Sequence, residues 1–387
     1  MEIITWPISI KSILEINRTP FFVHNFEKIR ENTAINVQKT INCGSGKLGF
    51  SSYKCDECAE IKHIPFTCKS RFCNSCSKPK SDLRMQGITS WWPQKLLYRH
   101  FVFTIPEELR NFFKKNRAAL KIIPFTATNA ILFFLKKQKV TPGILAVIHT
   151  FGAQLNRNPH THLIVTNGAI HNSGIFKNNI YYPYNAIKRS WTVFLVKNLK
   201  KRCHQHLHGA SLRENLKLLN SFYNYHSTIS GKKTDRHCFF GRPVSFEKVV
   251  GYVGRYTNRP VIAQSRIIQF DSDSVTFNYI DKRNKETKNI QCSPSDFIGL
   301  LVQHIPNKHF KMLYYYGIFA NRCKAKYLHI INSHFWDPRK RHSIPTSFSQ
   351  RLYFFTGKDP LACPCGGRFW KFKLSIPGYP DQLMGDP

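Results

Sequence analysis

Two short motifs in this chain hold residue types that could do chemistry together. His160 and His162 flank Thr161 at the head of the apolar run Leu163-Ile164-Val165, and Tyr252 and Tyr256 stand four apart between Gly251 and Pro260. A strand turns alternate residues to one face, so the two imidazoles could share a metal ion. A helix makes neighbours of positions four apart, which would pair the two phenols. A phenol with a pKa near ~10 is a poor nucleophile unless a metal, base or cation activates it. Arg255 and Arg259 could grip phosphate oxygens in bidentate fashion, and Lys248 lies one turn before Tyr252. Each motif alone has a plainer reading: hydrogen-bonded core histidines, and tyrosines half-buried on an amphipathic helix. Many zinc hydrolases place a carboxylate two residues after H-x-H; here Ile164 stands there, which argues against an amidohydrolase-type site. Gln154 and His149 are the nearest candidates for a third ligand.

The charge balance narrows the partner. The 387 residues carry 58 Lys+Arg against 22 Asp+Glu, a formal net charge of +36. A small-molecule enzyme would mix both signs, whereas cations that neutralise phosphates release condensed counterions, so a polyanion is the natural partner. Much of the aromatic content, 31 Phe and 16 Tyr, must be core, yet some could stack unpaired bases. So few acids, with no clustered trio, argue against a three-carboxylate DNA transposase. The first twelve residues, with Glu2 and Pro7, lack the pattern of a signal peptide. Apolar runs such as Ile131–Leu135 are too short to span a bilayer. A reducing, cytoplasmic setting is therefore expected, with no membrane partner.

In such a setting the 12 cysteines speak for metal before disulfides. Cys55-Asp-Glu-Cys58 and Cys73-Asn-Ser-Cys76 are two C-x-x-C turns with 14 residues between them, near the spacing that offers four thiolates to one Zn²⁺. Such a closed site is structural, serving folding and DNA docking. Cys68, Cys43 and His63 could each replace one of the four or serve a second ion. Cys363-Pro-Cys365-Gly-Gly is one residue short of the same pattern and reads as an exposed remnant. Cys203-His-Gln-His206-Leu-His208 reads as a basic helix end before a metal site.

The elements that must position these residues are legible in outline. A helical lead-in covers Ser12–Lys39. Tyr98–Pro106 is β-rich and is followed by the helical pattern Glu107–Lys115. Ile144–Thr150 and His160–Thr166 read as an antiparallel hairpin across the polar loop Gly152–Pro159, with the histidines early in its second strand. Asn185–Lys200 and Ser211–Tyr225 read as helices joined by the basic stretch Lys197–His208. Ser245–Thr257 is a helix capped by Ser245 and ended before Pro260. Val275–Ile280 and Thr287–Ile290 form a second hairpin, and Lys311–Arg322, with Tyr314, Tyr315 and Tyr316, reads as helical and outside catalysis. The sum is an α+β fold, a largely antiparallel sheet flanked by helices behind a small zinc-binding module. We divide it at residues 1–95 (helical lead-in and zinc module), 96–336 (catalytic domain) and 337–387 (basic, partly disordered tail).

Several of these segments occur in one order in a known family. They are Ser70–Cys76, His100–Arg110, Pro142-Gly143, His149–Gly152, Asn158–Gly168, Gly251–Pro260 and Tyr315–Arg322. On them the chain resembles, along nearly its whole length, the rolling-circle transposases of the insertion-sequence 91 family. These are HUH (two histidines around a hydrophobic residue), two-tyrosine enzymes with an amino-terminal zinc domain. The resemblance implies an HUH-type nuclease domain in which His160 and His162 hold Mg²⁺ or Mn²⁺ and Tyr252 and Tyr256 are the nucleophiles. It implies single-stranded DNA at the ends of a mobile element as substrate, a 5′-phosphotyrosine with a free 3′-OH as intermediate, and rejoining to target DNA without ATP. Thr161 replaces the family's hydrophobic residue, and the shortened Cys363–Cys365 pair implies that a second zinc knuckle is lost. Two other readings remain: a zinc-containing DNA-binding relic without catalysis, and an HUH replication initiator or relaxase.

Overall fold

The computed structural model describes residues 9–228, 237–257, 260–281, 284–323, 325–327, 330, 347, 349–350, 353–354, 357–377 and 382–383. Its centre is an antiparallel sheet of six strands: β3 (Tyr98–Thr104), β4 (Val140–Phe151), β5 (Arg157–His171), β6 (Phe176–Lys177), β7 (Cys238–Phe240) and β11 (Leu313–Gly317). The strands run in the order β11-β4-β5-β3-β7, with β6 beside β5. The expected hairpin is β4–β5, longer than its sequence core, with bulges between Pro142 and Ile144 and between His149 and Phe151.

Period-two alternation sorts this sheet into two cores. Phe101, Phe103, Ile144, Ala146, Ile148, Leu163 and Val165 face one way. They pack under α4 (Glu107–Lys115), α5 (Ile122–Lys136), α6 (Tyr184–His206) and α7 (Gly209–Thr228). Leu145, Val147, Ile164 and Tyr98 face the other way and meet Phe246, Val249 and Val253 of α8 (Phe246–Thr257), with Ile88 of α3 (Asn74–Thr89). Thr161 lies on the first face, fully buried, and its hydroxyl donates to the Val147 carbonyl at 3.2 Å. The polar residue between the histidines is thus satisfied within the hairpin.

Arg117–Lys136, α5 with the turn before it, is long and apolar enough to cross a membrane by length and composition, unlike the runs weighed from sequence. Ile123, Ala127, Ala130, Ile131 and Leu135 are instead buried in the first core, which accounts for its apolar character.

Among the described residues there are two smaller sheets. One runs β10-β9-β8, from β8 (Ile267–Phe270), β9 (Val275–Ile280) and β10 (Thr287–Cys292). Val275 and Phe277 share a core with α9 (Pro294–Val302), α1 (Ile10–His24) and α2 (Glu31–Ile41). The helical lead-in is therefore packed on this unit, across the boundary drawn at residue 95. The other sheet runs β13-β12-β1-β2, from β1 (Phe50–Cys55), β2 (Ile61–Pro65), β12 (Phe369–Ser375) and β13 (Gln382–Leu383).

Within the segment read as a basic, partly disordered tail, Phe369–Ser375 pairs antiparallel with Phe50–Cys55 and completes the amino-terminal module; residues 337–346 lie outside the described residues. Two expectations change. Leu313–Gly317 is an edge strand on β4 where a helix was expected. Tyr314 and Tyr316 join the first core while Tyr315 joins the second, an alternation that three identical residues hide in the sequence. The basic stretch Lys197–His208 is no linker, since α6 continues unbroken to His206.

Candidate active site

The histidines lie at one end of the β4–β5 hairpin. His149 of β4 is registered opposite His160, and Val147 opposite His162, so all three imidazoles share the sheet face that α8 covers. Their ring centroids are 4.8–5.4 Å apart. One ligand atom from each lies within 4.8 Å of the others, a spacing that one ion could draw together. His149 and His162 are buried and His160 is half-buried. His149 also stacks on Phe151, across the bulge that follows it.

Hydrogen bonds set the tautomers. His160 Nδ1–H donates to the Asn158 carbonyl at 2.6 Å, which turns Nε2 toward the shared centre. His162 Nδ1 lies 3.0 Å from Nε2 of His100, whose ring stacks on it at 5.2 Å. Burial, with the nearby His160 charge, pushes His100 down to about 3, so it stays neutral and can accept from His162. His100 is therefore a supporting residue that the sequence did not single out; its only signal was a histidine in the strand beside the H-x-H. Of the two third-ligand candidates, His149 joins the pair; Gln154 is exposed in the turn that joins β4 to β5.

The tyrosine helix lies over the same face. Phe246, Val249 and Val253 seat α8 on Tyr98, Leu145, Val147 and Ile164. Tyr252, Arg255 and Tyr256 belong to this helix, described by their backbone alone, and Arg259 lies outside the described residues. Lys248 is exposed. With Arg242, Glu247, Gly241 and Gly251 it lines an open groove of about 530 Å³ that His100 and Ile164 also line. Arg242 adds a cation that the sequence motifs did not single out.

The cysteines form two clusters, which corrects the reading of Cys55, Cys58, Cys73 and Cys76 as one site. Cys73 and Cys76 gather with Cys43 and Cys68; Cys55 and Cys58 gather with Cys363 and Cys365. The two C-x-x-C turns sit on different elements, β1 with its following turn and the start of α3, and each recruits a different partner pair. In the first cluster Cys43 Sγ and Cys68 Sγ lie 3.5 and 3.6 Å from Cys76 Sγ. Ligands at about 2.3 Å from a tetrahedral Zn²⁺ would stand about 3.8 Å apart, so this donor set fits the ion. The sulfur contacts within the cluster push the Cys76 thiol down and the Cys68 thiol up, as expected of thiols crowded around one proton-poor centre. Cys203 is buried in the α6 core and belongs to neither cluster; His63 bonds Ser52.

Comparison with known proteins agrees with this layout. A family described as "Transposase zinc-binding domain" matches residues 15–105, and one described as "Putative transposase" matches residues 143–326. The chain is 30% identical to the transposase for insertion sequence element IS801 of Pseudomonas savastanoi pv. phaseolicola, across 94% of this chain and 88% of that protein. It is 25% identical to "Putative transposase y4qJ" of Sinorhizobium fredii (strain NBRC 101917 / NGR234), across 83% and 84% of the two chains. No solved structure matches it.

Proposed function

The chain belongs to the insertion-sequence 91 family of transposases, and from that premise we propose that it nicks and rejoins single-stranded DNA through 5′-phosphotyrosine intermediates. The observation that carries the proposal is the seating of α8, the helix of Tyr252 and Tyr256, on the sheet face that presents His149, His160 and His162. The substrate is the single strand at the ends of the mobile element, then target DNA, in rolling-circle fashion. The work would take place in the bacterial cytoplasm, at the nucleoid.

In this reading one phenol oxygen attacks the scissile phosphorus. The O–P bond to tyrosine forms, the bond to the 3′ oxygen breaks, and the phenolic proton is matched by one gained at the departing 3′-OH. The phosphodiester count is conserved, so rejoining is the same exchange in reverse and uses no ATP. Two tyrosines serve the two strand cuts. His149, His160 and His162 would hold the divalent ion, which when bound polarises the phosphate. An all-imidazole set favours a transition ion over Mg²⁺, so Mn²⁺ is the better fit of the expected pair. His100 and the Asn158 carbonyl fix the ligand rings. Lys248, Arg242, Arg255 and Arg259 would track the DNA backbone toward α8.

The test is a denaturing gel of purified protein with labelled single-stranded DNA from the element's ends and Mn²⁺ or Mg²⁺. A protein–DNA adduct that survives SDS in wild type, and is lost in the Tyr252→Phe/Tyr256→Phe double variant, is the expected result. Tight binding with no adduct on any end sequence would sink the catalytic reading and leave a DNA-binding relic.

A further inference from the structure

The second cysteine cluster joins Cys55 and Cys58, inside the zinc-binding match, to a pair that no assignment above includes. Cys363 and Cys365 lie beyond both family-matched segments, 15–105 and 143–326. Yet Cys365 Sγ is 3.5 Å from Cys55 Sγ, and Cys363 Sγ is 3.7 Å from Cys58 Sγ. All four sulfurs are within 4.8 Å of one another. These are the edges of a tetrahedron around an ion with bonds of about 2.3 Å, and far longer than a disulfide of about 2 Å.

The shortened turn is built for this. Cys363 N–H donates to the Gly367 carbonyl at 2.9 Å, and Gly366 N–H returns to the Cys363 carbonyl at 3.0 Å. Gly366 has φ +98°, open to glycine and strained for other residues. Gly367 N–H points at Cys365 Sγ at 3.4 Å, the kind of amide contact that steadies a thiolate. A Cβ on Gly367 would stand 2.8 Å from Cys55 Sγ, so the glycine lets the two knuckles close on each other. The missing residue in Cys-Pro-Cys is thus made up by Gly-Gly. Backbone bonds register the halves as well: Asp56 N–H donates to the Arg368 carbonyl, and Arg368 N–H to Asp56 Oδ1.

Hydrophobic packing does not explain the gathering. Cys55 and Cys363 are buried, but Cys58 and Cys365 are exposed, and a thiol is only a weak hydrogen-bond donor. Four sulfurs that meet half in solvent, from segments 310 residues apart, need an attraction that thiols alone lack.

We propose that Cys55, Cys58, Cys363 and Cys365 form a second tetrathiolate zinc site, separate from Cys43, Cys68, Cys73 and Cys76, that clamps the carboxyl-terminal strand onto the amino-terminal module. It closes a loop between residues 310 apart, and a metal clip on so long a loop removes much freedom from the unfolded state. Binding releases the thiol protons and involves no change in oxidation state.

Zinc per chain in the purified full-length protein tests the clamp. Two equivalents are expected in wild type and one in C363S/C365S, with C43S/C68S also keeping one. In C363S/C365S, trypsin should cut at Lys371 and Lys373, sites that β12 pairing protects in wild type. A zinc content unchanged by C363S/C365S overturns the proposal. Should that variant fail to fold, alkylation of native wild type decides. Cys58 and Cys365, though exposed, should resist iodoacetamide until a chelator removes zinc; their modification with all zinc still bound would overturn the site. Neither readout depends on DNA cleavage, so this proposal and the transposase chemistry stand or fall apart.

Discussion

His162 and His304 are buried to the same degree, about 6% exposed, yet they serve different ends. His162 faces two other imidazoles that an ion could join. His304 is held by a carbonyl and a hydroxyl: Nε2–H donates to Leu155 O at 2.8 Å, so Nδ1 accepts from Thr150 Oγ1 at 3.0 Å. Burial, with Arg157 and Arg117 nearby, pushes His304 down to about 4 although the Leu155 carbonyl pulls it up. The unfolded chain, near the ordinary ~6.5, takes up this proton first as pH falls. The folded state therefore keeps the full contribution of neutral His304 above about 6.5 and loses it as pH drops through 4, by about 3 kcal/mol at most. Urea unfolding at pH 7.5 and pH 4.5 checks this. His304→Gln should be less stable than wild type at pH 7.5 and lose less stability on acidification. Parallel losses in the two proteins would mean that His304 does not titrate in this window. The same residue scale limits what the sequence discloses. His160 and His162 announce themselves by spacing and His149 stood with Gln154 as a candidate third ligand, whereas His100 joins them only through cross-strand register, which spacing along the chain does not encode.

At the scale of elements, the edge strand β11 depends on one glycine. Gly317 has φ +60°, and a Cβ there would stand 1.8 Å from the Pro142 carbonyl oxygen, where β4 begins to bulge. Gly174 also has a positive φ, +85°, but nothing lies within 4 Å of its Cβ position. Gly317→Ala should therefore cost well over the ~1 kcal/mol that backbone strain alone imposes at Gly174→Ala. Denaturant midpoints of the two variants decide it, and equal losses would show that β11 can shift without penalty. Elements with strong periods were legible: Glu107–Lys115, the β4–β5 and β9–β10 hairpins and α8 appear where alternation or a helical stripe placed them. Lys311–Arg322 was misread because Tyr314, Tyr315 and Tyr316 present the same side chain to both faces, which leaves no pattern to tell strand from helix. The zinc turns were legible as turns, but the partners of each were not. Which thiol pairs meet depends on β1 joining β12, a contact between the two ends of the chain.

At the scale of the whole molecule, the net charge of +36 is barely answered within the protein. Among the described residues, the side-chain ion pairs include Lys115–Glu214 and Arg110–Glu107 on the surface, and Lys288–Asp281 at a hairpin. Exposed pairs of this kind contribute little and leave most cations to solvent. Lys248 and Arg242 belong to that surplus, at the groove beside the histidine face. Composition alone thus made nucleic acid the natural partner and the sequence put Lys248 on α8, while only the fold brings Arg242 to the same groove. A strand lying along this groove would displace counterions from each phosphate contacted, so affinity should fall linearly with salt on logarithmic axes. With about six phosphates engaged, the slope for single strands would be about −4, and raising salt from 50 to 200 mM would weaken binding about 300-fold. Fluorescence anisotropy with a labelled single-stranded oligonucleotide, on the Tyr252→Phe/Tyr256→Phe variant that lacks the proposed nucleophiles, measures that slope. Replacing Lys248 and Arg242 together by Gln should reduce its magnitude by about 1.4, two contacts' worth, uniformly across sequences. An unchanged slope in that variant would put the DNA path elsewhere on the molecule, and with it the approach of the scissile phosphate to α8.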